Sequence, residues 1–537
     1  MAGLVAILGP IALHRAKLPE MLHAADYRGK ADIYSGADAC IGIQQRARRS
    51  GQVFASSLGV SGFLGWPYRI EAGKAIALSA EWLARNPLQN VACLDEIYGQ
   101  YILFQLDRAS GELYLLRDQL GSYPMHVMVQ GDSIYLASDI CQLAVALVRA
   151  PGLNLQALRN LHQHMHLNWR GPALYSEVAL VPPGVLQCFS TPQRFTLNWP
   201  HRAQFLATFD SAASNQNQAI SASLDALRIS CAQAFAPNSA LSLSGGMDSS
   251  LLALLAKDQH LPLQPYSAVF PGFKADESSA IDALVQALGV TTRKVELGKF
   301  QARESYEALC ELSDYPVYPA TFMATTLARL MATDGAEYLI DGNGGDELFD
   351  WPLLGLIARA RGWRDFAHAA SALVRSIHRR KNFNATDYPV VRHLLKRLVL
   401  GRINSPSQSA AITATRLLAS SDESLFYLAG EQQIARLGLE VRSPFRDAYV
   451  IRQILPFMPS AAWHGGQRRA LQSQLCAALS DGQLRLVREK KVNFDEFALM
   501  PGETTHALLG TARYQQFADL VPRFLAFKQT QGIKLHE

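Results

Sequence analysis

Residues 242–250 read SLSGGMDSS, and no other stretch limits the chain's possible folds so tightly. ALSLSGG reads as a strand and MDSSLLALLAKD as a helix, so the glycines and polar residues fall at a strand-to-helix turn. In a parallel sheet such turns stand at the carboxyl ends of strands, where ligands bind. Gly245 and Gly246 let backbone N–H groups approach an anion closely, and Ser244, Ser249 and Ser250 add hydroxyl donors. The positive end of the helix adds to them, making a phosphate cradle over Ser242, Leu243, Ser244, Gly245, Gly246, Asp248, Ser249 and Ser250. A plain helix-capping turn is the alternative. Asp248 is out of place beside phosphates unless a cation lies between, and Mg2+ supplies one.

The neighbouring segments supply the sheet. LQPYSAVF, TRKVEL and EYLID read as strands, and ESSAIDALVQALG as a helix with Ile281, Leu284 and Leu288 on one face. Strands alternating with helices predict an α/β fold with a parallel, helix-covered sheet. The first two hundred residues differ. There, β-rich runs such as QYILFQLDRASGELYLLRDQLGSYP and HVMVQGDSIYLASDI are broken by hairpin signals, which predicts layered sheet. The reading is thus a layered domain over 1–205 and a parallel-sheet domain over 215–537 with a helical C-terminal part. There is no internal repeat.

Composition removes several classes. With 49% hydrophobic and 18% charged residues, the 537-residue chain is that of an ordinary globular protein. The cysteines, 40, 93, 141, 188, 231, 310 and 476, form no C-x-x-C pair, predicting thiols in a reducing cytoplasm and no structural zinc. The start, MAGLVAILGPIALHRAK, has no basic residue before its apolar run, so it predicts a buried strand rather than a secretory signal. No apolar run reaches the length of a membrane span. Net charge is only +5, but residues 359–402 hold nine Arg and two Lys against Asp365 and Asp387. Such a run reads as solvated helix faces or as a surface for an anionic partner, peptide or nucleic acid.

SLSGGMDSS resembles the S-G-G-x-D-S motif of the PP-loop ATP pyrophosphatases, which cleave ATP between its α- and β-phosphates and transfer AMP to an oxygen. It lacks the lysine of a Walker loop. IDGNGGDELF, 340–349, is similar to the G-x-G-x-D-E segment of the asparagine synthetase family. That resemblance makes Asp248 and Asp346 the metal ligands, puts Gly342 in the ATP site, and sets Asn343 and Gly344 beside the substrate. LEVRSPFRD, 439–447, matches the family's E-x-R-x-P-F-x-D signature, and its Glu-Arg pair beside a proline turn reads as structural. REKKVNFDEF, 488–497, resembles the K-x-G-F segment, whose lysine stabilises transition-state charge; the Lys-to-Phe spacing selects Lys491 over Lys490.

YRGKAD, GQYILFQLD, LLRDQLGSYPMHV and YLASDI resemble, in order, segments of the family's glutamine-hydrolysing Ntn domain. That domain uses a cysteine at residue 2 as nucleophile. Here the residue is Ala2, which predicts an inactive, vestigial glutaminase. Family members without this cysteine include the β-lactam synthetases and the lasso peptide macrolactam synthetases, which activate a carboxylate as its acyl-adenylate and close a ring with the substrate's own amine. At position 343 asparagine synthetases carry Glu and β-lactam synthetases Tyr, whereas an amide cannot take a proton at neutral pH.

The resemblance therefore implies a lasso peptide cyclase using ATP and Mg2+ on a precursor peptide. A leader peptidase and a peptide-recognition protein would be its partners, with no nucleic acid and no membrane. A β-lactam or carbapenam synthetase, an asparagine synthetase-like enzyme with another amine donor, a nucleic-acid-modifying PP-loop enzyme and a catalytically dead partner protein are the alternatives.

Overall fold

The computed structural model describes residues 2–157, 174–199, 216–351, 363–380, 391–392, 425–480, 482 and 535–536. Short interruptions within these fall at 37, 47–49, 91–92, 148–151, 191–193, 274–275, 298–307, 316, 318–320, 459–460 and 465–466. Lys490 and Lys491 lie outside the described residues, as does most of the basic segment.

Two six-stranded antiparallel sheets form the N-terminal part. The side-chain period of two shows how they stack. In the strand Tyr101–Asp107, Ile102, Phe104 and Leu106 enter the core between the sheets, whereas Tyr101 and Leu103 face the layer under helix Ala80–Arg85. Strand Gly3–Leu8 does the same in the other sheet. Leu4, Ala6 and Leu8 point between the sheets, and Val5 and Ile7 point at helices Ile11–His23 and Ile140–Leu147. Both faces of each strand are thus covered, which is why GLVAIL and YILFQL read as near-continuous apolar runs. The layers run helix, sheet, sheet, helix, and the expected N-terminal strand is there.

The second part is built on a five-stranded parallel sheet. Its spatial order is Arg293–Glu296, Gln264–Val269, Ser239–Ser242, Tyr338–Ile340, Glu440–Arg442. In chain order this is 3-2-1-4-5, so the winding reverses between the first strand and the fourth. Helices cover both faces. Met247–Asp258 buries Leu251 to Ala256 on one side with Phe445 and Leu471, while Leu327, Met331 and Ile434 cover Ala240, Tyr266 and Leu339 on the other. Ile281, Leu284 and Leu288 form the buried face of helix Ser278–Leu288, as their spacing predicts.

LEVRSPFRD ties the two parts together. Arg442 Nε donates to Glu440 Oε1 at 2.9 Å and its guanidinium lies 4.0 Å over the Tyr338 ring. From the layered part, the Tyr123 hydroxyl donates to Glu440 Oε1 at 3.2 Å and Tyr68 donates to Asp447 Oδ2 at 2.7 Å. Gly99 N reaches Asp447 Oδ1 at 3.1 Å, and Ser443 N donates to Gln100 Oε1 at 3.0 Å. These charges are buried, hydrogen-bonded and remote from solvent, so the motif's structural reading is the one the fold displays.

Within 359–402, helix Trp363–Arg380 buries Ala369, Ala372 and Leu373 and exposes Trp363 and Val374. No helix among the described residues is long and apolar enough to cross a membrane. All seven cysteines are free thiols, five of them buried.

Candidate nucleotide and metal site

The loops after the first and fourth strands of the parallel sheet stand side by side at the reversal point, and they carry the two acidic motifs. Ser242 closes the first strand, and Leu243 N donates to Tyr266 O at 2.8 Å. The turn is then held by its own serines. Ser244 N donates to Ser249 Oγ at 3.0 Å, Gly246 N donates to Ser244 Oγ at 3.1 Å, and Ser250 Oγ donates to Gly246 O at 2.7 Å. Ser249 and Ser250 are buried, so here their hydroxyls shape the turn. No side chain caps helix Met247–Asp258 at Gly246, so its positive end is left facing the turn. Gly245 N donates to Glu277 Oε2 at 3.1 Å, placing a carboxylate against the cradle.

The second loop packs on the first. A side chain at Gly345 would run into the Asp248 carboxylate, and a Cβ at Gly342 would lie 2.8 Å from Asp248 Cβ. Only glycine allows this approach. Gly344 has φ +91° and sits against Arg446. Asn343 turns back on its own loop, its N donating to Asp341 Oδ1 at 3.2 Å and its Nδ2 to Asp341 Oδ2 at 2.5 Å. Ser443 Oγ donates to Asp341 Oδ1 at 2.6 Å. Burial pushes Asp341 up to about 6 against the pull of these hydrogen bonds.

Asp248 and Asp346 meet on one cation. Arg469, next to helix Ala470–Leu479, donates from Nη2 to Asp248 Oδ1 and places Nη1 3.0 Å from Asp346 Oδ1. Gln472 Nε2 also donates to Asp248 Oδ1, at 2.8 Å. Burial pushes the Asp248 carboxyl up, and Arg469 pulls it back. A shared guanidinium shows that the two carboxylates lie within reach of one positive centre. Among the described residues no group of three His, Cys, Asp or Glu side chains could hold a metal. Two carboxylates suit a Mg2+ ion that takes its other ligands from phosphate and water. The donor set therefore fits a metal that arrives with a nucleotide.

Asp248, Asp346, Gly342, Asn343, Gly344 and the residues of 242–250 thus come together. Sequence reasoning missed Arg469, Gln472, Glu277, Asp341 and Ser443. Asp341 and Ser443 lie inside quoted motifs, so the polar residues flanking those motifs were a usable signal; Arg469 and Gln472 belong to no motif.

Around Ala2 the picture is different. Ala2 is 1% exposed, and its carbonyl accepts from Arg28 Nη1 at 3.0 Å. Arg28 is clamped to Asp139 by Nε at 2.5 Å and Nη2 at 2.8 Å. Gln432 Nε2 of the second part donates to both Asp139 Oδ1, at 2.8 Å, and Asp314 Oδ2, at 2.7 Å.

The family model described as asparagine synthase matches residues 225–494, and that of the glutamine amidotransferase domain matches residues 88–199. No curated protein matches the chain. Two solved structures similar to it are the allosteric regulatory enzyme of purine biosynthesis and the glutamine phosphoribosylpyrophosphate amidotransferase of B. subtilis, complexed with ADP and GMP. Each is 12% identical; the alignments cover 63% of this chain and 80% and 81% of theirs, with TM-scores of 0.26 and 0.25.

Proposed function

The chain belongs to the asparagine synthase family, ATP-dependent amide-forming ligases, and from that premise we propose that it closes a macrolactam in a precursor peptide. A side-chain carboxylate of Asp or Glu attacks the α-phosphorus of ATP, the bond to the β-phosphate breaks, and pyrophosphate leaves. The peptide's own N-terminal amine then attacks the acyl carbon, loses a proton, and expels AMP. One observation carries the reading: two acidic loops converge on one cation site at the sheet's reversal point, while Ala2 puts a methyl group where glutamine hydrolysis needs a thiol.

In this scheme Asp248 and Asp346 would hold Mg2+, which would offset the charge of the nucleotide's phosphates. Gly245 and Gly246, with the uncapped helix end, receive phosphate oxygens. Asn343 and Gly344 line the carboxylate's approach, and Lys491 stabilises charge as pyrophosphate departs. A leader peptidase that frees the amine and a peptide-recognition protein are its proposed partners. Peptide-dependent ATP–pyrophosphate exchange, run without glutamine or ammonia, tests the scheme. Exchange and cyclised peptide are expected; exchange that instead requires a small free amino acid derivative would favour the β-lactam-type alternative.

A further inference from the structure

Arg469 bridges the two acidic loops, and no motif announces it. We propose that Arg469 is a built-in counter-cation: its guanidinium holds the position between Asp248 and Asp346 that a divalent metal takes with ATP, so arginine and metal compete for the same carboxylates. The proposal rests on the assignment of those aspartates as metal ligands.

Three observations carry it. The guanidinium spans both acids, donating to Asp248 Oδ1 and lying 3.0 Å from Asp346 Oδ1. Its side chain is 3% exposed while those of Asp248 and Asp346 are 21% and 42% exposed, so an ion from solvent can reach the acids but must push the arginine aside. Third, Arg469 has φ +57°, a left-handed conformation that side chains disfavour, so the chain accepts local strain to point this residue at the site. Two carboxylates held on one guanidinium repel each other unless a cation stands between them. Glu277 has the matching place on the anion side, accepting from Gly245 N at 3.1 Å in the phosphate cradle. The pair Arg469 and Glu277 thus copies, with the protein's own groups, the charges of a metal and a phosphate. Metal should then bind weakly alone and well with nucleotide, whose phosphates offer the displaced guanidinium a new partner.

Mn2+ binding to the full chain, followed by electron paramagnetic resonance without nucleotide, provides the test. Arg469→Gly removes the charge and suits the backbone conformation, and it should tighten Mn2+ binding about tenfold or more. Arg469→Lys keeps a competing charge and should stay near wild type. The thermal midpoint of Arg469→Gly in EDTA should fall and recover with Mn2+. If that variant is unfolded without metal, recovery of its circular dichroism on adding Mn2+ supports competition and failure to recover refutes it. Wild-type Mn2+ affinity in Arg469→Gly, with Asp248→Asn and Asp346→Asn still weakening Mn–ATP binding, refutes the counter-cation and leaves the metal assignment standing. Normal Mn–ATP binding by both Asn variants refutes the two together.

Discussion

Two arginine–aspartate pairs sit in the two halves of the chain, and they differ in a way that separates structure from chemistry. Arg28 and Asp139 are 1% and 0% exposed, bonded twice, and surrounded by Ala2 and Gln432. Burial alone would raise the Asp139 carboxyl, but Arg28 beside it holds it well below the usual carboxylate range. Arg469 is equally buried, yet its two aspartates open to solvent. A sealed pair can only hold the fold together; a pair with reachable acids can exchange its cation. The same residue types therefore form a sealed structural pair in one half and stand beside solvent-reachable carboxylates in the other.

That contrast predicts opposite phenotypes. The largest effect is expected at the open site: Asp248→Ala or Asp346→Ala should abolish carboxylate-dependent pyrophosphate release while leaving the chain folded, as seen by circular dichroism. Normal turnover with Mg-ATP in either variant would break the comparison from that side. Next comes Lys491→Ala, expected to lower the rate about 10²- to 10³-fold with little change in ATP binding, since a charge stabiliser acts in the transition state. Lys490→Ala should be milder. If Lys490→Ala is the dead variant, the Lys-to-Phe spacing selected the wrong lysine.

At the sealed pair the damage should appear in stability. Arg28→Met leaves Asp139 buried without its partner, which typically costs about 3–5 kcal/mol, read from urea unfolding. The ratio of pyrophosphate release to folded protein should stay unchanged.

His126 sharpens the point further. It is 2% exposed, its Nε2 meets the Tyr315 hydroxyl across the two parts, and burial holds it down at about 4. Asp139 and Asp314 pull it up and Arg117 pushes it down. The folded state thus binds fewer protons than the unfolded chain between pH 6.5 and 4. Stability is full above 6.5 and falls by ~3 kcal/mol as the pH drops through this window. His126→Gln should remove that part of the acid sensitivity; an unchanged pH slope would show that the His126 pKa is not depressed in the folded chain. The smallest effect is none at all: glutamine should yield no glutamate above a no-enzyme control, because Ala2 offers no nucleophile.

Much of this was legible in the sequence because it is written in local periods. The strand–turn–helix at 239–258 and the alternation of YILFQLD each follow from side-chain direction alone. The acidic loops were legible because a glycine is required wherever backbone meets carboxylate, as at Gly345. Arg469 was not, since its role depends on a contact with Asp248 across 221 residues and on a left-handed backbone that no arginine advertises. Nor could spacing show that Glu440 and Asp447 bind Tyr123 and Tyr68 of the other half, although the motif's structural character could be read from its proline and its charge pair.

The central claim is that a peptide carboxylate is activated as an acyl-adenylate at the open site. Heavy oxygen placed in the acceptor side-chain carboxylate of a linear precursor peptide follows it most directly. Incubation with Mg-ATP should move one labelled oxygen into the phosphate of AMP, alongside a peptide lighter by one water. Unlabelled AMP, or ADP with label in inorganic phosphate, would contradict the account.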